Sequence, residues 1–541
     1  MARTAKKKSK EKELSLEDAL WNCRVALRGV ASMEKTRDAV ISLVFLKFAG
    51  DKFQTRRTEI IEEYGDIPAF LEKPSFYNAK NVFYLPEEAR WDYLVAHAAD
   101  NDIAIKIDAA MKLAEDNNPA LVGALPLGLF ATLTADIRSI KALIDAIGMI
   151  SRDRFHEEDL IGRTYEYFLQ AFAVGSSKED GEFYTPACVV QLIAELIEPF
   201  EGVVYDPCCG SGGMFVQSHK FVEEHHGNRS AISVVGQELN EDTWRLCKMN
   251  LAIRGISNNL GERAASSFTA DQHPDKKVDY VMANPPFNLK NWRGEDELTH
   301  DPRWRGYGAV PPVANANYAW ILHILSKLDV NHGVAGFLLA NGALGTDDAN
   351  ESMIRQKLLE NDKVEAIIVL PRDMFYTTDI SVTLWILNMN KRGGAKGERV
   401  LRDRHNEVLF MDLRTWDGNI ATYKMDKNKK KKKTVLASEQ IAEVKRIYDS
   451  WQDVDGGYKD VPELCKSVRL RSDDPNEVTL ESRGYVLTPS KYIEFVDHDL
   501  DIDFDAEMNR IQNEMREVLA AEKASQKMLE DAFEGIGYGI A

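Results

Sequence analysis

Between residues 202 and 387, short apolar runs alternate with segments whose apolar residues recur at helical spacing, and this constrains the fold more than any other feature. The runs are Gly202 to Tyr205, Ser233 to Gln237, Val278 to Ala283, Val334 to Ala340, Val364 to Leu370 and Ser381 to Leu387. Such alternation predicts βαβ units, hence an α/β core with a mostly parallel sheet covered by helices on both faces. Open sheets of this kind bind ligands at the rim formed by their strand ends, so residues that follow each run are the first candidates for chemistry.

Around this core the pattern changes. From Leu16 to Lys52 apolar residues (Leu20, Ala26, Leu27, Val30, Val40, Leu43, Val44, Phe48) follow helical spacing, with further helical stretches from Asn101 to Ala114 and from Ile137 to Ile147. An all-α N-terminal domain is therefore expected over 1–150 and a catalytic domain over 151–495, where Ala187 to Ile197 reads as a helix. A lysine-rich surface insertion is expected near 424–434, and Trp451 to Pro475 reads as polar and irregular. The remaining segment, 496–541, is read as a helical C-terminal tail with a narrow apolar stripe: Met508, Ile511, Met515, Val518 and Leu519. That stripe can dock on its own chain or on a partner.

With 541 residues, 44% of them hydrophobic, the chain has material for several buried cores. Its 6 cysteines form no CxxC pair or regular framework, which argues against a disulfide scaffold or zinc cluster; no metal is expected. No apolar run approaches a membrane span and no apolar segment follows the basic start, so a cytoplasmic protein without membrane association is expected. The formal net charge of −18 opposes DNA binding, because affinity for DNA comes largely from Lys and Arg neutralising phosphates. A local basic surface or a partner must then carry any DNA. Two basic runs stand out, the arm up to Lys12 and Lys427 to Lys433; each reads first as a solvated, mobile segment and second as a phosphate contact.

The first run ends in Asp206-Pro207-Cys208-Cys209-Gly210-Ser211-Gly212-Gly213. Glycines here allow a ligand to lie against the backbone and allow positive φ in the turn. The spacing is not GxGxxG, and the lysine of a phosphate-cradling loop is missing, so a phosphate-free nucleoside fits best. S-adenosylmethionine is such a cofactor. Glu238, after the second run, is placed to accept from both ribose hydroxyls, and Asp271 is expected at the end of a third strand, as an acceptor for the cofactor's adenine amine or as a surface turn residue. The run Val278 to Ala283 leads into Asn284-Pro285-Pro286-Phe287. The Asn284 side-chain oxygen and the Pro285 carbonyl can both accept from one exocyclic amine, which keeps the nitrogen lone pair available to attack a methyl group. Phe287 can stack on a base rotated out of a duplex.

With these residues the chain resembles the modification (M) subunits of type I restriction-modification systems. Ala19-Leu20-Trp21, Leu27-Arg28-Gly29 and Leu43 to Phe48 resemble the helical leader of that family. Tyr165 to Phe168 and Gly181-Glu182-Phe183-Tyr184-Thr185-Pro186 resemble its cofactor-binding entry motif. The resemblance implies a Rossmann-like methyltransferase core and methyl transfer from S-adenosylmethionine to N6 of a flipped adenine in double-stranded DNA. It also implies a specificity (S) subunit that reads the sequence, flanked by two M subunits, and a restriction (R) subunit that can join. By resemblance, Glu182, Phe183, Tyr184, Thr185 and Pro186 belong to the cofactor site, with Tyr184 to Pro186 along the methionine moiety. Asp206, Pro207, Gly210, Ser211, Gly212 and Gly213 line the cofactor, Glu238 takes the ribose, and Asn284, Pro285, Pro286 and Phe287 hold the target adenine. Asn-Pro-Pro-aromatic also serves enzymes acting on RNA bases or protein glutamine, and a non-catalytic assembly subunit is a further reading.

Overall fold

The computed structural model describes residues 16–29, 32–133, 135–150, 164, 185–225, 227–228, 231–375, 378–426, 429–496 and 504–535. The basic arm to Lys12, Tyr165 to Phe168, Glu182, Phe183 and Tyr184, and Lys427 lie outside these residues. The chain divides into two compact units, Met1–Ile493 and Glu494–Ala541.

In the first unit the helical leader contains α1 (Leu16–Ala26) and α2 (Met33–Tyr64), then α3 (Ile103–Asp116) and α4 (Ile137–Gly148) among shorter helical turns. The helical region expected from Leu16 to Lys52 holds two helices. Gly29, at φ 78, breaks it, and the Ser32 side chain caps the new start by accepting from the Lys35 amide. These helices close on their own apolar core, which includes Leu20, Val44, Phe45, Ile107 and Ile144.

The α/β core follows. Its strands are β1 (Gly202–Asp206), β2 (Ile232–Gly236), β3 (Asn258–Asn259), β4 (Tyr280–Ala283), β5 (Val334–Ala340), β6 (Val364–Val369) and β7 (Val382–Asn388). After them come β8 (Gly394–Lys396), β9 (Arg399–Leu401), β10 (Glu407–Asp412), β11 (Ile420–Asp426), β12 (Lys429–Thr434) and β13 (Cys465–Arg469). Its longer helices are α5 (Ala187–Ile197), α6 (Gly213–Glu224), α7 (Glu241–Ile253), α8 (Asn317–Lys327), α9 (Ala349–Glu360) and α10 (Ser438–Gln452).

The main sheet has the order β13-β10-β6-β7-β5-β4-β1-β2-β3, while β8 pairs with β9 and β11 with β12. Successive residues of each central strand enter opposite cores. Val204, Val234, Met282, Leu338 and Ile368 pack with α5, α6, α7 and α10. Tyr205, Val235, Val281, Phe337 and Ile367 pack with α8 and α9. This is the two-faced burial that makes such strands read as continuous apolar runs. Helix α7 serves both sides of a boundary: Trp244, Cys247 and Leu251 face the sheet, and Leu246, Met249 and Ile253 join the leader's core. Two apolar cores thus meet at α7 inside one compact unit.

The main sheet is mostly parallel, as expected, with β7 running antiparallel to both β5 and β6. The segment joining β6 to β7 carries no helix among its described residues, and a parallel return requires a longer crossover, usually helical. Trp451 to Pro475 is not irregular throughout: it takes in the end of α10 and β13, an antiparallel edge strand on β10. The lysine run takes strand form over its described residues: Lys429 to Thr434 make up β12, paired antiparallel with β11 across a register shift between Lys424 and Asp426. No helix among the described residues is long and apolar enough to cross a membrane. Among its described residues the second unit holds one charged helix, α11 (Phe504–Gly535), on which Met508, Ile511, Met515, Val518 and Leu519 are exposed.

The packing of α5 on the sheet depends on Gly336 of β5. A methyl group there would lie 2.7 Å from Ile193 Cγ2 and 3.2 Å from Ile197 Cγ2. Gly336→Ala is expected to cost about 1–3 kcal/mol through overpacking, read as a lower urea midpoint at unchanged m; an unmoved midpoint would show that the helix layer has slack here.

Candidate active site

The sheet order locates the site before any side chain is considered. From β1 the chain winds outward through β2 and β3, then returns to pair β4 on the other side of β1. Connections leaving β1 and β4 diverge at this reversal and open a crevice beyond the strand ends. The two motifs read in the sequence, Asp206 to Gly213 and Asn284 to Phe287, follow these two strands directly.

Asp206, the last residue of β1, is 2% exposed, and its Oδ1 accepts from the Cys208 amide at 3.0 Å. Burial pushes its carboxyl pKa up to about 7, with nearby Glu238 adding in the same direction. The loop after it is sewn to the end of β2: the Gln237 amide donates to the Asp206 carbonyl, and the Cys209 amide to the Gln237 carbonyl, both at 3.0 Å. Glu238 closes the glycine loop. Its Oε2 accepts from the Gly210 amide at 3.0 Å and its Oε1 from the Asn240 amide at 2.9 Å.

The glycines differ in role. Gly212, at φ 84, caps α6, and a methyl group there would sit 2.9 Å from Cys247 Sγ, so it allows close helix packing. Gly210, at φ 53, and Gly213 would direct a Cβ into open space. A ligand can therefore lie flat against the loop at these two positions. That cradle, with two carboxylates beside it and no basic phosphate ligand in the loop, fits a nucleoside without phosphates.

Asn284 lies half-buried just past β4, and its Nδ2 donates to Thr185 Oγ1 at 2.9 Å. Thr185 and Pro186 stand at the start of α5, so this bond joins the entry segment to the tetrapeptide. It also orients the amide: with Nδ2 engaged by Thr185, the oxygen is the end that can accept from a ligand. Cys208 is hydrogen-bonded to the Asn284 backbone, and desolvation together with Asp206 holds its thiol pKa well above normal. Pro285 is buried, and Phe287 meets Phe375 edge-on, with centroids 6.3 Å apart at 77°. The next turn is held by a reciprocal pair: the Asn288 amide donates to Asn317 Oδ1 at 3.0 Å, and Asn317 Nδ2 returns a bond to Asn288 Oδ1 at 2.9 Å.

Asp271 ends no strand. The strand next to β2 is the short β3, and Asp271 lies in the later loop, its Oδ1 accepting from the His273 amide at 2.9 Å and its Oδ2 paired with buried Lys327. The segment beside Glu238 is instead Ala265 to Phe268, whose Ala265 amide donates to the Glu238 carbonyl at 2.8 Å. Residues that sequence reasoning passed over hold this segment. Gln237, fully buried, donates to the Ala265 and Ala270 carbonyls, and Arg303 donates to the Ser267 and Phe268 carbonyls while pairing with Asp301. Gln237, directly before Glu238, carried a positional signal. Arg303 carried none, because its partners are backbone carbonyls far away in sequence.

Comparison with known proteins agrees with this architecture. Residues 156–499 match the family described as N-6 DNA Methylase, and residues 16–147 match the HsdM N-terminal domain. The chain is 34% identical to the type I restriction enzyme HindI methylase subunit of Haemophilus influenzae, over 84% of this chain and 100% of that protein. It is 31% identical to the MjaIX methylase subunit of Methanocaldococcus jannaschii, over 96% of this chain and 91% of that one. Among solved structures, the type I restriction-modification methyltransferase subunit from Streptococcus thermophilus superposes with a TM-score of 0.69 at 22% identity, covering 88% of this chain and 99% of that chain.

The raised pKa of Asp206 has a measurable sign. Its unfolded value is about 4, so the folded state holds a proton between that pH and about 7 that the unfolded chain has released. The associated stability is present below pH ~4 and is lost as pH rises through about 7. Asp206→Asn is therefore expected to unfold at higher denaturant than the parent at pH 8 without ligand, with the difference closing toward pH 4. Parallel stability curves across that range would show that Asp206 titrates normally.

Proposed function

The chain belongs to the methylase subunits of type I restriction enzymes, adenine-specific N6 DNA methyltransferases, and from that premise we propose how its strand-end crevice acts. Asp206, Pro207, Gly210, Ser211, Gly212 and Gly213 hold S-adenosylmethionine, with Thr185 and Pro186 at its methionine end. Glu182, Phe183 and Tyr184 complete that end by resemblance. Glu238 takes the ribose: its carboxylate stands at the glycine loop, where its oxygens accept the Gly210 and Asn240 amides, and a carboxylate can accept several hydrogen bonds at once. Ala265 to Phe268 border the cofactor's base, with Asp271 and Lys327 as the anchor of the adjoining loop. When bound, the cofactor supplies an electrophilic methyl group on a sulfonium centre.

The observation that carries this reading is the Asn284–Thr185 bond, which ties the target-amine acceptor to the entry segment at the mouth of the β1–β4 crevice. Asn284 Oδ1 accepts one N6 hydrogen of the target adenine and the Pro285 carbonyl accepts the other. These bonds draw the amine out of conjugation with the ring, so its lone pair would be available to the methyl group that a bound S-adenosylmethionine supplies, with one N6 proton passing to water. No side chain of shifted pKa has to remove that proton first. Pro286 stiffens the turn, and Phe287, braced by Phe375, stacks on the adenine after it leaves the duplex.

Sequence choice is assigned to an S subunit carried between two such chains, with an R subunit able to join. The net charge of −18 supports this division, since a chain so acidic is poorly suited to hold DNA alone. The exposed apolar stripe of α11 is the proposed docking element for the S subunit.

Purified chain mixed with labelled S-adenosylmethionine and duplex DNA is expected to label adenine only when the neighbouring S gene product is present. Label in RNA or protein, with DNA unlabelled in the complete complex, would reject the reading. Asn284→Ala is expected to abolish transfer while keeping cofactor affinity, and an equal loss of both would make Asn284 structural. Phe287→Ala should weaken the flipped state by about 1–3 kcal/mol, visible as reduced 2-aminopurine fluorescence at the target position.

A further inference from the structure

The lysine run has no part in the chemistry above, yet the fold gives it a definite place. The β11–β12 ladder sets Thr422 opposite Lys432, Tyr423 opposite Lys431 and Lys424 opposite Lys430. Like charges directly opposite each other weaken a ladder. A two-stranded ribbon is also marginal without a covering layer. Asp426 stands opposite Lys429, but lysine at every position from 429 to 433 leaves the hairpin with an excess of positive charge that an external polyanion can neutralise.

The base of the hairpin is fastened at the target-base side of the crevice. The Thr434 amide donates to the Asp373 carbonyl at 3.0 Å, and buried Lys433 pairs with Asp379 at 2.8 Å. Between these anchors, on the segment after β6, lies Phe375, the residue that meets Phe287 edge-on. Lys433 is thus structural, while Lys432 is exposed. From its anchored end β12 runs six residues, about 20 Å.

We propose that the β11–β12 hairpin is a DNA-backbone arm, in which Lys429 to Lys432 contact phosphates beside the flipped adenine. The inference rests on the DNA reading above, and charge supplies the choice of partner: in a chain of net charge −18 this is a concentrated positive element tied to the base-stacking residue. Phosphate contacts position a protein on the duplex without reading its sequence. The arm would then hold the duplex against the crevice, leaving the choice of site to the S subunit.

The test uses the complex of this chain with its S subunit, carrying K429Q/K430Q/K431Q/K432Q, with a second complex carrying arginine at the same four positions. Binding to cognate and scrambled duplexes is measured by fluorescence anisotropy from about 50 to 200 mM salt. Removing one phosphate-neutralising lysine should reduce the slope of log K against log salt by about 0.9, so removing all four predicts a slope shallower by up to about 3.6 and affinity lower by at least on the order of tenfold. Both duplexes should be affected equally, the arginine complex should behave as the parent, and cofactor binding should be unchanged. An unchanged slope and affinity in the glutamine complex would overturn the proposal. So would a defect confined to the cognate duplex, or failure of S-subunit assembly with DNA binding intact in the complexes that form. A parent complex that binds DNA in this salt-dependent way but methylates no adenine would instead reject the functional reading and leave the arm standing.

Discussion

The parallel pairing of β4 beside β1 is the constraint on which the rest of the molecule depends. It reverses the direction in which the chain winds, and so parts the loops after the two strands. Asp206 and Asn284 owe their proximity to that pairing, since each is placed by the end of its own strand. The pairing is held by burial on both faces, where Val204 and Met282 enter one core and Tyr205 and Val281 the other. A one-residue slip would exchange these sets and turn each strand's side chains to the wrong layer.

Polar groups around the crevice are arranged mostly to hold loops. Glu238 accepts two backbone amides, Gln237 spans the next loop, Arg303 serves two carbonyls and a carboxylate, and Lys327 bridges Asp271 and the His273 carbonyl. Buried polar atoms are costly without partners and rigid with them, so these bonds fix the loops before any ligand arrives. His323 belongs to the same network. It lies between Tyr205 and Arg303, and burial with neighbouring cations keeps its imidazole neutral. Preorganisation of this kind lets a carbonyl and an amide oxygen polarise an amine without a charged base.

Much of this was legible in the sequence. The strands from β1 to β7 were marked by apolar runs, apart from the two-residue β3, and α5 was marked over its whole observed length. Both motifs were visible because each depends on local chemistry: glycines where a Cβ would clash or fill the cradle, and prolines that end a strand. The direction of β7 was not legible, because an apolar run buried on both faces looks the same in either orientation. Lys429 to Thr434 carried no strand signal, since its composition speaks only of charge and the strand comes from pairing with Ile420 to Asp426. The end of a third strand was misplaced at Asp271, because the strand beside β2 is the two-residue β3 and Asp271 lies in a later loop, paired with Lys327.

The sequence by itself determined the layered α/β core, the helical leader, the residue types at the crevice and the class of reaction they suit, because periodicity and short motifs encode burial and local backbone geometry. Tertiary structure alone decided which distant residues meet. It joined Thr185 to Asn284, set Phe375 against Phe287, gave Asp271 to Lys327, and anchored the lysine hairpin on the segment that carries Phe375. Those contacts follow from strand order and loop closure, which depend on how whole layers pack and leave no mark in any local stretch of residues.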